Sequence, residues 1–508
     1  MTVRGKREER RPGIRIAIIG GGLGGVAAAV KFKKAGFLNF TVFEQSAGAG
    51  GVWYDNTYPG CEVDIWSHLY SYSFMPYNWS RTHATQPEIK KYIDDTIDAF
   101  ELRDHFRFST RVEEIAWQDE KSTYLVRLAS GEVQECDMVI SGVGILNRPK
   151  YPDWPGLDDF KGVKFHTARW DHTVELAGKR VAVVGTGSTG VQIVSAIAPT
   201  VGHLFLFQRE PGWIIPKGDR DFTPEERSSY ARSVISQKLE RYKRFRAMQK
   251  LVKSARVQGT KGNTMLREMG LRYLSTVKDP AVRKALTPNY PFGCKRIIQE
   301  SRFYAMMNRD NVTLVPFAVQ RVTESGIVAA NGVEYPVDVL IIGTGFYAQD
   351  FLASFRAFGL GGRSLRDVWG ESAKAFLGVT VPGFPNFVIL YGPNTNGGAS
   401  IIYQHERQAE AAVRMARRIE RGAVIDTRKT ALDRWTSWID RVNAKYLSAT
   451  FHCHNYFYAR DGRNVTQWPL SATRYSWMLR CLLPFATTRR WKRKLSPQST
   501  ATESEFKV

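Results

Sequence analysis

Short apolar runs closed by glycine-rich turns recur along this chain and set its architecture. Ile14-Arg15-Ile16-Ala17-Ile18-Ile19 ends at Gly20-Gly21-Gly22-Leu23-Gly24-Gly25, and Arg180-Val181-Ala182-Val183-Val184 ends at Gly185-Thr186-Gly187-Ser188-Thr189-Gly190. Each run has the length and composition of a strand. After the first turn a small-residue helix is predicted over residues 26–34, and the chain returns through Phe40-Thr41-Val42-Phe43 to Glu44. After the second, a helix over residues 191–198 leads through Leu204-Phe205-Leu206-Phe207 to Gln208 and Arg209. Both read as complete β-α-β units, so the fold class is α/β with two Rossmann-like domains.

The glycines have separate tasks in such a unit. The first permits a tight turn, the second lets backbone approach a pyrophosphate, and the third packs helix on strand, leaving the helix N-terminus to face the anion. Glu44 and Arg209 each stand 24 residues after the first glycine of their turn, with opposite charge. A carboxylate accepts hydrogen bonds from free ribose hydroxyls, whereas a guanidinium suits the extra phosphate of NADP. Gly20, Gly22, Leu23, Gly24, Gly25 and Glu44 are therefore assigned to FAD. Gly185, Thr186, Gly187, Ser188, Thr189, Gly190, Gln208 and Arg209 are assigned to NADPH, with Glu210 beside Arg209 opposing the attraction for a phosphate.

Between these units the pattern divides the chain further. A strand-like run, Asp137 to Val143, ends at Gly144, and the proline-rich stretch from Asn147 to Pro155 suits a crossing between domains. Thr223-Pro224-Glu225-Glu226 carries a capping threonine, proline at the first helical position and a glutamate to complete a capping box. It opens a helical insertion. Strands near residues 312–315 and 337–342 lead to the turn Gly343-Thr344-Gly345-Phe346, where the chain crosses back, and Pro385 to Asn394 completes the first domain's sheet and cofactor pocket. The resulting division is residues 12–149 and 346–480 for a discontinuous FAD domain, 150–215 and 290–345 for the NADP domain, 216–289 for the insertion, and 481–508 for a basic, disordered tail.

Composition removes alternatives. With 508 residues, 43% of them hydrophobic, the chain can bury a sizeable core. No run approaches the about 20 apolar residues that span a bilayer, and Met1 to Arg11 is charged where a signal peptide is apolar, so a cytoplasmic protein is expected. The five cysteines are scattered and never spaced CxxC, which excludes a reductase relaying electrons through a vicinal thiol pair. The net charge of +23 is concentrated around residues 238–256 and in Arg489-Arg490-Trp491-Lys492-Arg493-Lys494. No nucleic-acid motif accompanies it, so it reads first as a solvated basic face, with contact to a membrane surface as the lesser reading and no nucleic acid as partner. No metal is called for, and the oligomeric state is not specified.

Phe160-Lys161-Gly162-Val163-Lys164-Phe165-His166-Thr167-Ala168-Arg169-Trp170-Asp171 resembles the fingerprint of type I Baeyer–Villiger monooxygenases, FxGxxxHxxxW followed by Pro or Asp. The resemblance extends through Gly50-Gly51-Val52-Trp53, Tyr58-Pro59-Gly60, Asp64, Tyr70 to Phe74, Lys295-Arg296 and Gly343 to Phe346, in family order. It implies a reaction in which NADPH reduces FAD, O2 gives a flavin C4a-peroxide, and oxygen is inserted beside a ketone carbonyl to form an ester or lactone. Arg296 matches the family's active-site arginine and Asp64 its active-site aspartate. Lys295 would join Arg209 on the NADP 2′-phosphate; Gly51, Val52, Trp53 and Tyr70 match flavin-contacting positions, and Val112 offers backbone to the adenine end. Tyr456 stands where many relatives place a tryptophan near the nicotinamide ribose. His166 is read as a hydrogen-bonded linker histidine, not an acid–base catalyst. Two other readings stay open: a flavin-containing monooxygenase acting on nitrogen or sulfur, and a two-dinucleotide reductase without oxygenation.

Overall fold

The computed structural model describes residues 13–255, 257–446, 453 and 455–491. Two five-stranded sheets, parallel throughout, form its centre. The first runs in the order Phe387–Ile389, Met138–Ser141, Ile16–Ile19, Phe40–Phe43, Phe106–Arg107. The second runs Val312–Val315, His203–Phe207, Arg180–Val184, Val339–Ile342, Val163–His166. Every residue of Ile16–Ile19, Met138–Ser141 and Val339–Ile342 is buried, as expected of strands covered on both faces.

The first helix, Leu23–Lys34, begins three residues earlier than its apolar pattern predicts. The reason is packing. Gly24 and Gly25 are poor helix formers, but a Cβ on Gly25 would stand 1.9 Å from the Gly20 carbonyl oxygen, so only glycine lets helix and strand close here. The second turn repeats the constraint: a Cβ on Gly190 would stand 2.0 Å from the Gly185 carbonyl oxygen, in the first turn of the helix Ser188–Ile197. Gly20 and Gly185 adopt φ of +101° and +114°, where side chains are strained. The alanine face of Leu23–Lys34 packs on the long helix Ile401–Ile419, which covers the first sheet. Val26, Val30 and Phe32 are wholly buried there, each contributing roughly 1.5–3 kcal/mol by area removed from water.

The chain leaves the first sheet after Ser141 and returns to it at Phe387. Its two crossings run side by side. The Lys150 amide donates to the Gly345 carbonyl at 2.9 Å, the Tyr347 amide to the Arg148 carbonyl at 3.1 Å, and Pro149 bridges Phe346. His166, fully buried at the end of its strand, lies between Gly345 O at 3.1 Å from Nε2 and the Ala168 amide at 3.1 Å from Nδ1. A neutral ring protonated on Nε2 satisfies both contacts. Phe160 enters the core of the second unit, Gly162 is confined by Asp338 O, Trp170 stacks edge-on against Phe165, and Asp171 Oδ1 accepts the Thr173 amide at 2.9 Å.

Residues 216–289 carry the helices Pro224–Arg232, Val234–Ala255, Lys261–Leu274 and Pro280–Ala285. The capping box forms: the Glu226 amide donates to Thr223 Oγ1 and the Thr223 amide to Glu226 Oε2. One expectation fails at the C-terminal end. Regular structure continues past Cys481 through Leu483–Ala486 into Thr487–Trp491, a strand antiparallel to Ala423–Thr427. The basic composition there obscured threonine and tryptophan positions that suit a strand edge, and ladder hydrogen bonds outweigh arginine charge. Residues 492–508 and Met1 to Arg11 lie outside the described residues. No helix among the described residues is long and apolar enough to cross a membrane.

Burial pushes His68, His83 and His405 down to about 4 and lowers His166 as well. At His405 the burial outweighs a bond to Gln408 that favours the charged ring. Unfolded histidines take up protons near their ordinary value of about 6.5, while these folded ones resist until lower pH. Their contribution to stability is therefore complete above about pH 6.5 and declines as pH falls toward 4. Both ring nitrogens of His68 find no hydrogen-bond partner among the described residues, and the ring lies between Phe222 and Tyr230, so His68→Phe should flatten part of that decline. Thermal midpoints measured across this range check it; a midpoint constant from pH 7 to 4.5 refutes the account.

Candidate functional site

A cavity of about 590 Å³ opens where the two sheet units and the helical segment meet. Gly20, Gly22, Leu23 and Gly24 bring the first turn onto its wall, and Ser188 and Thr189 bring the N-terminus of the second unit's helix. Glu44, Gly51, Val52, Trp53, Asp64, Tyr70, Val112, Lys295, Arg296 and Tyr456 also line it. Gly25, Gly185, Thr186, Gly187, Gly190, Gln208 and Arg209 do not, nor do Phe160, Gly162, His166, Trp170 and Asp171. The second turn still has room beside it: a Cβ on Gly187 would meet nothing within 4 Å.

Glu44 is buried at the end of its strand, with Oε2 accepting the Gly21 amide at 2.6 Å and Oε1 the Ser46 amide at 2.8 Å. Burial raises its pKa, and these two amides counter the rise. The carboxylate thus fixes the glycine turn while keeping spare lone pairs toward the cavity. Trp53 Nε1 donates to the Tyr70 hydroxyl at 2.9 Å, locking an aromatic pair into the wall, and Tyr70's own ionisation is pushed well upward by burial. Val112 begins the strand Val112–Gln118 and is buried.

Asp64 and Arg296 meet although 232 residues separate them, Arg296 Nη2 donating to Asp64 Oδ2. Both side chains remain partly open to the cavity, Arg296 by 43%. Desolvation pushes the Asp64 carboxyl upward, but Arg296 and then Lys217 outweigh it, so it sits below the usual carboxylate value. Asp64 in turn raises Arg296 against the cost of desolvation, with Tyr456 adding to the pull. The pair is charged on both sides, with its guanidinium aimed by a fixed carboxylate.

Lys295 takes a different partner. Its Nζ pairs with Glu210 and lies 4.6 Å from the Tyr290 ring centroid. Glu210 therefore engages the neighbouring loop's lysine, and Arg209 stays exposed at the end of its strand. Gln208 is buried, its Nε2 donating to Ala285 O at 2.9 Å.

The cysteine spacing gave no sign of one further link. Cys294 and Cys453 are disulfide-bonded across a sequence separation of 159, with Cα atoms 6.1 Å apart. Chain topology, which linear spacing does not encode, joins the segment holding Arg296 to the one holding Tyr456. Cys61 and Cys136 are buried thiols outside any disulfide. His454, two residues before Tyr456, lies outside the described residues.

Several site residues escaped the sequence reading. Lys217, whose side chain is fully buried, stands 2.9 Å from Glu62 Oε1, and its charge helps to lower the Asp64 carboxyl. Proline and glycine around it signal only a loop. Tyr391, by contrast, lies in the stretch expected to complete the cofactor pocket: at φ +61° it reaches the cavity from the turn after Phe387–Ile389, and its hydroxyl donates to Asn396 Oδ1 at 3.0 Å. Met248, Leu251, Val252 and Ala255 of Val234–Ala255 form an apolar part of the wall, where the sequence showed only a charged helix.

The flavin-binding monooxygenase-like family model matches residues 13–242. Over 473 residues the chain is 38% identical to a Baeyer-Villiger monooxygenase of Streptomyces coelicolor, covering 91% of this chain and 90% of that one. A Baeyer-Villiger monooxygenase of Pseudomonas aeruginosa is 35% identical, covering 92% and 89%. Among solved structures, cyclohexanone monooxygenase from Rhodococcus sp. Phi1 bound to NADP+ superposes with a TM-score of 0.83 at 28% identity, covering 95% of this chain and 100% of that one. OTEMO in complex with FAD and NADP gives 0.84 at 28% identity, with the same coverage.

Proposed function

The chain belongs to the Baeyer–Villiger monooxygenase family, and we propose that it inserts one atom of O2 beside a ketone carbonyl to give an ester or lactone, using FAD and NADPH. The observation that carries this reading is the Arg296–Asp64 pair on the wall of the cavity that the first glycine turn opens. FAD fits the first turn: Gly20, Gly22, Leu23 and Gly24 leave backbone facing the cavity, and Glu44 is placed for a ribose. NADPH fits the second, where open space beside Gly187 precedes the helix N-terminus.

FAD held at the first turn by Gly20, Gly22, Leu23, Gly24 and Glu44 would, once reduced by NADPH, supply the electrons that activate O2. The chain's own residues control charge and water. Arg296 presents a permanent positive charge and several N–H donors where negative charge builds on oxygen, and Asp64 holds that fork in one orientation. Because the guanidinium is held further from deprotonation, it donates hydrogen bonds without supplying a proton. Trp53, Tyr70 and Tyr391 close the surrounding wall. Arg209, exposed and one residue from Lys295's partner Glu210, is assigned to the NADP 2′-phosphate.

Incubation with NADPH, air enriched in heavy oxygen and a panel of ketones should give esters or lactones carrying one labelled atom by mass spectrometry. Oxygenated products from sulfides or amines alone would place the chain with the nitrogen- and sulfur-oxidising relatives, and NADPH consumption without any oxygenated product would favour a reductase. Arg296→Ala should keep FAD and NADPH oxidation while ester formation drops about 100-fold or more, the scale of losing one preorganised oxyanion donor. Undiminished ester formation would sink its assigned role.

Arg209→Ala tests the nucleotide assignment separately. Loss of a charge-assisted contact should raise the KM for NADPH about tenfold or more and leave that for NADH little changed. Equal effects on both nucleotides would reject phosphate recognition by Arg209.

A further inference from the structure

The helix Val234–Ala255 presents two opposed faces. Inward, Met248, Leu251, Val252 and Ala255 wall the cavity, and Arg241 lies 3.7 Å from buried Glu406 and donates to the Ser71 carbonyl at 3.1 Å. Arg244 sits 3.2 Å from the Trp66 ring centroid. Outward, Ile235, Leu239 and Tyr242 recur at helical spacing and are 79%, 51% and 57% exposed. Lys238, Lys243 and Arg246 flank this stripe and are also exposed.

The face continues onto the next element. Gln249, on the same stripe, meets Thr473 of the helix Ala472–Cys481 at 3.2 Å, and one turn further Trp477 stands 59% exposed between Arg474 and Arg480. These two elements bring no carboxylate to it. The only one on Val234–Ala255 is Glu240, bound to Arg244 at 2.6 Å on the inward side, and the sequence from Ser471 to Trp491 contains none.

A basic face that merely meets water has no use for a continuous exposed apolar stripe. A second copy of the chain would oppose like charges, and nucleic acid would leave Ile235 and Leu239 in water. An anionic lipid surface matches both features, taking apolar side chains among its headgroups and basic ones against its phosphates. We propose that this face docks on anionic phospholipid membranes, with Val234–Ala255 lying in the interface plane. The side chains that wall the cavity then sit on the reverse of the lipid-bound helix. This replaces the sequence-based reading of the basic excess as a solvated face.

Flotation of the full-length holoenzyme with vesicles of phosphatidylcholine alone, or mixed with phosphatidylglycerol, tests it. Partition onto the mixed vesicles should exceed that onto phosphatidylcholine by about tenfold and weaken with salt. The triple variants Ile235→Ser/Leu239→Ser/Tyr242→Ser and Lys238→Glu/Lys243→Glu/Arg246→Glu should each lose about tenfold in partition while keeping the bound-flavin spectrum. The proposal is overturned by absence of partition in the unaltered enzyme. It is equally overturned if the serine variant binds undiminished, which would show adsorption by overall charge. Self-association that the serine variant abolishes, without vesicle binding, would assign the face to a second copy instead.

Discussion

The ion pair between Asp64 and Arg296 is the contact on which the chemistry proposed for the site depends, and its two halves come from different parts of the fold. Asp64 follows the loop that leaves the first glycine unit, whereas Arg296 comes after the helical segment that interrupts the second. Either charge alone in a partly closed cavity would lose hydration without compensation, and each makes the other tolerable. The surrounding charges share this logic: Lys217 is buried against Glu62 and lowers Asp64 further. A guanidinium aimed by one carboxylate can serve a reacting oxygen only if both units keep their relative placement.

Several contacts maintain that placement. The helix Ser188–Ile197 comes so near the loop at Gly60 that a Cβ there would stand 2.8 Å from Gln192 O. Gln192 answers with two bonds into the first unit, accepting from the Tyr58 hydroxyl at 2.9 Å and donating to Glu62 O at 3.0 Å. The backbone crossings between units pair with each other, and His166 binds one of them from within the second sheet. Arg169, three residues on, stands 3.7 Å from Asp55 on the cavity wall. The segment from Phe160 to Asp171 thus touches no part of the cavity directly but connects the crossing to a loop that does. Its effect on the site is one of position.

Much of this was legible in the sequence for physical reasons. Strands buried on both faces need unbroken apolar runs, and turns with φ above zero or forced helix contacts need glycine, so Gly20, Gly25, Gly185 and Gly190 mark both units before any coordinates. What escaped notice depends on distance through space. Nothing in the spacing of Cys294 and Cys453 announces their bond, and nothing beside Lys217 distinguishes a buried lysine from a surface one. Lys295 depends on distance through space as well: the carboxylate it pairs with, Glu210, stands 85 residues away in the chain.

The helix Val234–Ala255 illustrates why even a periodic signal can vanish. Ile235, Leu239 and Tyr242 lie on one side and Met248, Leu251, Val252 and Ala255 on another, so apolar directions summed around the axis largely cancel. Basic residues spread over the rest complete the impression of a uniformly polar surface helix. Only the tertiary structure separates the two apolar groups, by turning one into the cavity and leaving the other in water. A helix with one apolar group turned into the cavity and another on its opposite, exposed face loses the one-sided pattern by which helices are recognised in sequence, so the missing pattern follows from the two-faced arrangement itself.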